Sequence, residues 1–259
     1  MSVTTALFAD VATPEPGQRL GISFTKAQLD EVEVRVGDKV LSLAQSSMGL
    51  TAISSCVWDC GLALVDYLQS SSGEALGLTM DIGCGTGVAG LAAVLLGAKF
   101  VCFTDTSSAE PLLSANLKQL QTQLSLSNDD DDGGGGGGGS GASPPWEFIE
   151  HDWVKGNSSD FLSRCIQYAP EQWDTLLLSD VLYEQASHAA LMALLRSLRF
   201  GRALLAYKRR HDAPERAFLL ELESWCELAV VPVTDFTFIN ATRAQLNSGL
   251  YIIVARPRL

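Results

Sequence analysis

Apolar and polar residues alternate from Glu31 to Val36 and again from Lys39 to Ala44. This is the period-two signature of half-buried strands, and the Gly37-Asp38 pair between them predicts a tight hairpin turn. Val57, Leu64, Val65 and Leu68 recur at helical spacing, so a helix is expected over 57–68. Short apolar runs then alternate with longer amphipathic stretches. They predict strands over 77–82, 100–103, 146–149, 173–178 and 203–207, and helices over 88–96, 110–124, 185–198 and 214–225. Such alternation implies right-handed crossovers and a mostly parallel sheet with helices on both faces. The last two runs, 228–233 and 249–254, have no helical pattern between them, so the sheet should close with an antiparallel strand.

One segment breaks the pattern. Asn128, four Asp from Asp129 to Asp132, seven Gly from Gly133 to Gly139 and a Ser-Gly-Ala-Ser-Pro-Pro tail offer nothing to bury. An Asp/Gly-rich disordered insertion over 127–145 is expected. A calcium loop would space its carboxylates at alternate positions and close with Glu, whereas this acidic run is contiguous. The chain then divides into an N-terminal extension with the hairpin, 1–56, and a main domain, 57–259.

The 259 residues suit one elaborated domain or two small ones. With 47% hydrophobic and 19% charged residues, disordered, collagenous and coiled-coil classes are excluded. Carboxylates outnumber Lys and Arg by 30 to 18, a net charge of −12, so the positive footprint of a nucleic-acid binder is missing and no nucleic-acid partner is expected. No apolar run approaches the ~18 residues of a membrane span, and residues 1–16 lack a basic end followed by an apolar stretch. The expectation is a soluble, monomeric protein of the cytoplasm, with the nucleus as a second compartment and no membrane partner. Six cysteines without a CxxC pair and only three His make a disulfide scaffold or a metal site unexpected and favour reduced core thiols.

The chemistry concentrates at strand ends. Asp81-Ile82-Gly83-Cys84-Gly85-Thr86-Gly87 follows the first parallel strand and opens a helix, where bare backbone lets a ligand approach. Gly85, Gly87 and Gly90 also satisfy GxGxxG, and Asp105 lies 20 residues beyond Gly85, so spacing alone admits NAD. Asp81, two residues before the first glycine, favours S-adenosylmethionine: a carboxylate accommodates a cationic amino-acid moiety and repels a pyrophosphate. Asp105 suits ribose hydroxyls in either case. A glycine turn needed only for packing is the bland alternative. Farther on, the apolar strand from Trp173 runs into Ser179-Asp180-Val181-Leu182-Tyr183, which places Asp180 and Tyr183 at the same mouth. A helix N-cap and a half-buried aromatic lid are their plain readings. Lys208-Arg209-Arg210-His211 after Tyr207 reads either as a solvated strand end or as a dock for an acidic protein surface.

Four local matches, in order, carry a family resemblance: Val57-Trp58-Asp59, Asp81 to Gly87, His151-Asp152-Trp153 and Asp180-Val181-Leu182-Tyr183. From about Val32 to the end, the insertion apart, the chain resembles the family-16 seven-strand methyltransferases, a group holding many non-histone protein lysine methyltransferases. The resemblance implies a class I, Rossmann-like sheet and S-adenosylmethionine as cofactor. Trp58, the glycine turn with Gly83, Cys84 and Gly85, Asp105, Trp153 and Ser179 would border that cofactor. It assigns Asp180 and Tyr183 to the target amine, on a protein substrate such as a chaperone, an elongation factor or an AAA-type ATPase. Small-molecule amine or protein histidine methylation, a silent cofactor-binding scaffold and an NAD-dependent oxidoreductase are the competing functions. Tryptophans at such positions otherwise read as core packing.

Overall fold

A computed structural model describes residues 2–9, 29–46, 53–70, 74–129, 145–231, 238–241 and 249–258. A two-stranded hairpin, β1 (Glu31–Val36) and β2 (Lys39–Ala44), stands apart from a seven-stranded sheet. The sheet comprises β3 (Leu78–Ile82), β4 (Phe100–Asp105), β5 (Trp146–Glu150), β6 (Trp173–Ser179), β7 (Phe200–Lys208), β8 (Cys226–Val230) and β9 (Leu250–Pro257) in the spatial order 5-4-3-6-7-9-8. β5, β4, β3, β6 and β7 are parallel, and β9 runs antiparallel between β7 and β8. The expected class I methyltransferase sheet, closing with an antiparallel strand and preceded by a hairpin, is therefore present.

The central strands read as continuous apolar runs because both of their faces are covered. Leu177 and Leu204 join one core with Val34, Leu41 and Leu43 of the hairpin and with helices α2 (Asp59–Ser70) and α3 (Val88–Leu95). Their neighbours Leu176, Leu178, Ala203 and Leu205 join a second core on the opposite face, with α6 (His188–Ser197) and α7 (Asp212–Glu223). The hairpin buries Val32, Val34, Val36, Leu41 and Leu43 and exposes Glu31, Glu33, Arg35 and Val40. Asn116 of α4 (Glu110–Asp129) pins its end, accepting from the Ala44 N–H at 2.8 Å while its amide donates to the Thr86 carbonyl at 2.9 Å. Asn240 bonds both the N–H and the carbonyl of Arg35, and the buried Asp66 carboxylate of α2 accepts from the N–H groups of Asn240 and Ala241. The hairpin is thus a cover for α2, the helix that enters the site.

Several elements differ from expectation. Helix α1 (Val3–Ala9) has seven residues, too few to form alone; Glu223 accepts from the N–H groups of Val3 and Thr4, fixing its start against α7. Helix α5 (Ser159–Tyr168) is capped by Ser158 and buries Phe161 and Cys165 one turn apart. Helix α4 continues to Asp129, five residues past the expected Leu124 and into the segment expected to be disordered. The rest of that segment, 130–144, lies outside the described residues. A 3-10 turn, Gln185–Ser187, replaces the expected first turn of α6. All six cysteines are free and buried, as expected of core thiols.

Candidate functional site

The chain lays down β3, β4 and β5 in one direction and then places β6 on the other side of β3. At such a reversal the flanking loops separate and leave a crevice beyond the carboxyl ends of the strands. Here the crevice is a cavity of ≈ 640 Å³, lined by the turn after β3, the end of β4, the loop after β5 and the loop after β6. Its walls bring together Trp58, Gly83, Cys84, Gly85, Asp105, Trp153, Ser179, Asp180 and Tyr183. Nine of the ten residues singled out in the sequence therefore meet at one place.

The tenth does not. Asp81 is buried beneath the turn and is absent from the cavity wall. One carboxylate oxygen accepts from the Gly90 N–H at 2.9 Å, and the other has no partner among the described residues. Strand β3 points this side chain back under α3, so the expected direct contact with a cationic moiety is replaced by support of the turn from behind. Burial pushes its carboxyl up to about 7, with the Gly90 N–H opposing and Asp105 adding to the rise.

The glycine turn owes its shape to missing side chains. Gly85 has φ +53° and an added Cβ would lie 2.8 Å from the Ser54 carbonyl oxygen. At Gly83 a Cβ would lie 2.8 Å from the Trp153 ring, so the tryptophan packs directly on backbone. Gly90 serves α3 packing, since a Cβ would lie 2.3 Å from Phe103. The amides of the turn are already used: the N–H groups of Gly83 and Cys84 donate to the Thr104 carbonyl at 2.8 and 3.1 Å, and that of Gly85 donates to Asp105 at 2.8 Å. Anion cradles need such donors to face the ligand. With these donors committed and two carboxylates beside them, the site disfavours a pyrophosphate, which counts against the NAD reading.

Asp105 ends β4, accepting from Gly85 with one oxygen and from the Thr106 N–H at 2.7 Å with the other. The Thr106 hydroxyl donates to that second oxygen as well, at 3.3 Å, so the oxygen facing Gly85 is the one that keeps a lone pair for a further donor. Burial raises its carboxyl, and the two backbone N–H groups oppose that rise. Trp153 sits on a 3-10 turn capped by Asp152, whose side chain accepts from the Val154 N–H at 3.1 Å. Trp58 occupies the mouth of α2, where its carbonyl accepts from the N–H of Gly61 at 3.0 Å. Burial holds the Cys84 thiol far above its ordinary value, so it is a wall and not a nucleophile. Tyr183 is 40% exposed at the outer edge.

Among the wall residues assigned no site role from sequence are His151 and Arg210. His151 is buried and stacked on Phe161, ring centroids 3.7 Å apart, and burial lowers its pKa. Arg210 closes on Asp180 as a fork, with Nη1–Oδ1 at 2.7 Å and Nη2–Oδ2 at 2.6 Å. This overturns both readings of the basic run. Lys208 and Arg209 are buried, and Arg209 forks onto Asp212 at 2.7 and 2.6 Å while its guanidinium lies 4.6 Å from the Phe8 ring centroid. Lys208 to Arg210 are drawn inward, with His211 exposed, because the chain turns at once into α7, whose first turn carries Asp212 and Glu215. The excess of acidic residues in that helix start was the available signal.

Glu215 is also pushed up to about 7 by burial, which with Asp81 makes a stability prediction. An unfolded carboxyl titrates near 4, so between about pH 4.5 and 7 the folded protein binds more protons than the unfolded chain. Stability then falls as pH rises through this window and levels off above it. Asp81→Asn and Glu215→Gln are each expected to flatten the decline of Tm from pH 5 to 7.5; parallel curves for parent and variants would refute this.

Comparison with known proteins comes to the same place. Residues 36–128 match the model of methyltransferase family 16, described as lysine methyltransferase. The family-16 resemblance is borne out. A protein N-lysine methyltransferase, METTL21A of Danio rerio, is 26% identical over 230 residues, covering 88% of this chain and 93% of its own. Among solved structures, a SAM-dependent methyltransferase from Streptococcus mutans has a TM-score of 0.52 at 11% identity, over 88% of this chain and 56% of its own. A methyltransferase complexed with SAH has a TM-score of 0.51 at 12% identity, over 87% of this chain and 56% of its own. The chain thus spans just over half the length of these two solved chains, and the likeness to them is one of fold.

Proposed function

We propose that this methyltransferase moves a methyl group from S-adenosylmethionine to the side-chain amine of a lysine in a protein substrate. The observation that carries the reading is the joining of two features in one cavity. The glycine turn and Asp105 line the same cavity as the buried Asp180 and the half-exposed Tyr183 at its outer edge. The family description and the zebrafish relative support a lysine target, and the protein is read as acting in the cytoplasm.

When bound, S-adenosylmethionine supplies a methyl carbon activated by a sulfonium. The residues present fit such a molecule: Gly83 and Gly85 hold the turn tight at the cavity wall beneath Trp153 and beside Ser54, Asp105 would accept from a ribose hydroxyl, and Trp58, Trp153 and Ser179 would form the surrounding walls. No covalent protein nucleophile is needed. The lysine amine, having first given up a proton to solvent, would take the methyl carbon, and the electron pair of the carbon–sulfur bond would leave with the sulfur. The chain's task is to hold the amine in line and keep water out. Asp180 orients the amine, and Tyr183 gives the channel an aromatic wall that attracts a cation through its ring face.

Incubating the purified protein with radiolabelled S-adenosylmethionine and cell extract, then locating the label by mass spectrometry, tests the reading. Label on lysine of a protein supports it. Label on histidine or only in low-mass material overturns it. Asp105→Ala is expected to weaken S-adenosylhomocysteine binding about 10- to 100-fold through lost charge-assisted hydrogen bonds, measured by calorimetry; unchanged affinity would remove Asp105 from the cofactor site.

A further inference from the structure

A lysine amine must lose its proton before it can attack, and its ordinary pKa is about 10.4. An apolar channel helps by disfavouring the ammonium, whereas a lone carboxylate beside the amine holds the proton on. Asp180 would therefore oppose the chemistry that it positions. The structure contains the answer to this conflict in the fork from Arg210, with both side chains almost fully buried, 6% and 11% exposed.

We infer that Arg210 is a positioning residue for methyl transfer: it holds the Asp180 carboxylate at the channel and cancels the charge that would keep the substrate amine protonated. The inference rests on the lysine reading above. Arg210 is itself held at several points. Glu215 accepts from its backbone N–H at 2.9 Å and from that of His211 at 2.8 Å, and Arg210 Nη1 also donates to the Lys208 carbonyl at 3.2 Å. Asp180 is fixed with equal care. Its N–H donates to the Ala206 carbonyl at 2.8 Å, and its φ of +57° is the one positive value outside glycine among the described residues. A backbone held in that region costs energy that the surroundings must offset, and the charged fork with its backbone anchors provides the offset.

Other charged and titratable groups adjoin the pair. Cys60 of α2 donates a hydrogen bond to Asp180, with Asp59 beside Cys60 and Lys208, while Lys208 adjoins the pair from β7 and Glu215 from α7. Tyr183, Glu184 and His211 line the mouth, and Asp105 lies on the cavity wall. Burial holds the Cys60 thiol far above its ordinary range, so it stays neutral. Asp59 and Lys208 carry opposite signs. Arg210 is the residue whose guanidinium engages both Asp180 oxygens.

The test is the pH dependence of single-turnover methylation, with the extract protein labelled by the parent enzyme as substrate and saturating S-adenosylmethionine. Arg210→Gln removes the charge while keeping a donor. Its rate is expected to fall about tenfold at pH 7, with the deficit shrinking to about twofold once the pH lies about one unit above the parent's amine pKa, so that its pH–rate profile is displaced upward by about one unit. Arg210→Lys keeps the charge and is expected to keep the parent's pH profile. It also serves as the deciding variant should Arg210→Gln fail to fold, since a full-unit displacement in Arg210→Lys would overturn the inference. A fall by the same factor at every pH would mean that Arg210 acts only through structure, and the inference fails while the lysine reading stands. If the parent labels no protein lysine, both fail together.

Discussion

Asp180→Ala is expected to lower methylation of the labelled substrate on the order of 10²-fold or more while S-adenosylhomocysteine affinity stays within several-fold of the parent. The loss follows from removing the group proposed to orient the amine; binding should survive because the proposed cofactor contacts, Ser179 and the glycine turn on the same cavity wall, are left in place. The same substitution strands the Arg210 guanidinium, 11% exposed, without its carboxylate. Breaking one partner of a buried pair costs about 3–5 kcal/mol, or roughly 10 °C in Tm for a chain of this size. Stability and activity must therefore be separated. Asp180→Ala combined with Arg210→Met removes both charges and should recover most of the lost Tm while methylation stays lost. Should the double variant recover activity with stability, Asp180 would be a structural residue and its role at the amine would be wrong. Tyr183→Phe, which keeps the ring, should lose less activity than Tyr183→Ala, which opens the channel to water.

The order of elements was legible because the central strands are short apolar runs separated by amphipathic helices, and the alternation survives in the folded chain as two cores on opposite faces. The site was legible to the extent that its residues lie at strand ends with local motifs. Asp81 shows the limit of that reasoning. Its place in sequence suggests a ligand contact, but strand pleating sets whether a side chain faces the cavity or the helix, and here it faces Gly90. The Asp180–Arg210 fork joins residues 30 apart in sequence, a pairing that no local pattern encodes. Helix α1 was equally invisible, since its start is fixed by Glu223 more than 200 residues away. Helix α5 could have been found: Ser158 followed by Phe161 and Cys165 has the spacing of a cap and a buried stripe.

The burial of the basic run alters how the surface charge bears on function. Arg209 is committed to Asp212 and Arg210 to Asp180, in a chain whose carboxylates outnumber Lys and Arg by 30 to 18. Glu184 stands exposed beside Tyr183 at the mouth. On the proposed lysine reading, a target ammonium would be drawn toward such a rim and would meet the neutralised fork only inside the channel. Attraction at the rim and deprotonation within are thus assigned to different groups, which removes the conflict that a single unpaired carboxylate would create.

Gly85→Val is expected to abolish cofactor binding, weakening S-adenosylhomocysteine more than about 100-fold, and the reason is local to the turn. Valine is branched at Cβ and strongly disfavours the φ of +53° that Gly85 adopts. Its Cβ would also meet the Ser54 carbonyl oxygen at 2.8 Å, backbone that cannot swing aside. Either relief moves the Gly85 N–H away from Asp105, so the turn loses the 2.8 Å hydrogen bond that orients the carboxylate read as the ribose acceptor. Gly97, with φ +86° but no atom within 4 Å of an added Cβ, is the control: Gly97→Val carries a comparable backbone penalty remote from the cavity and should lower Tm while leaving S-adenosylhomocysteine affinity within a fewfold of the parent. Calorimetry on both variants, with circular dichroism to confirm folding, decides the matter. Folded Gly85→Val that still binds S-adenosylhomocysteine like the parent would place the cofactor somewhere other than this turn.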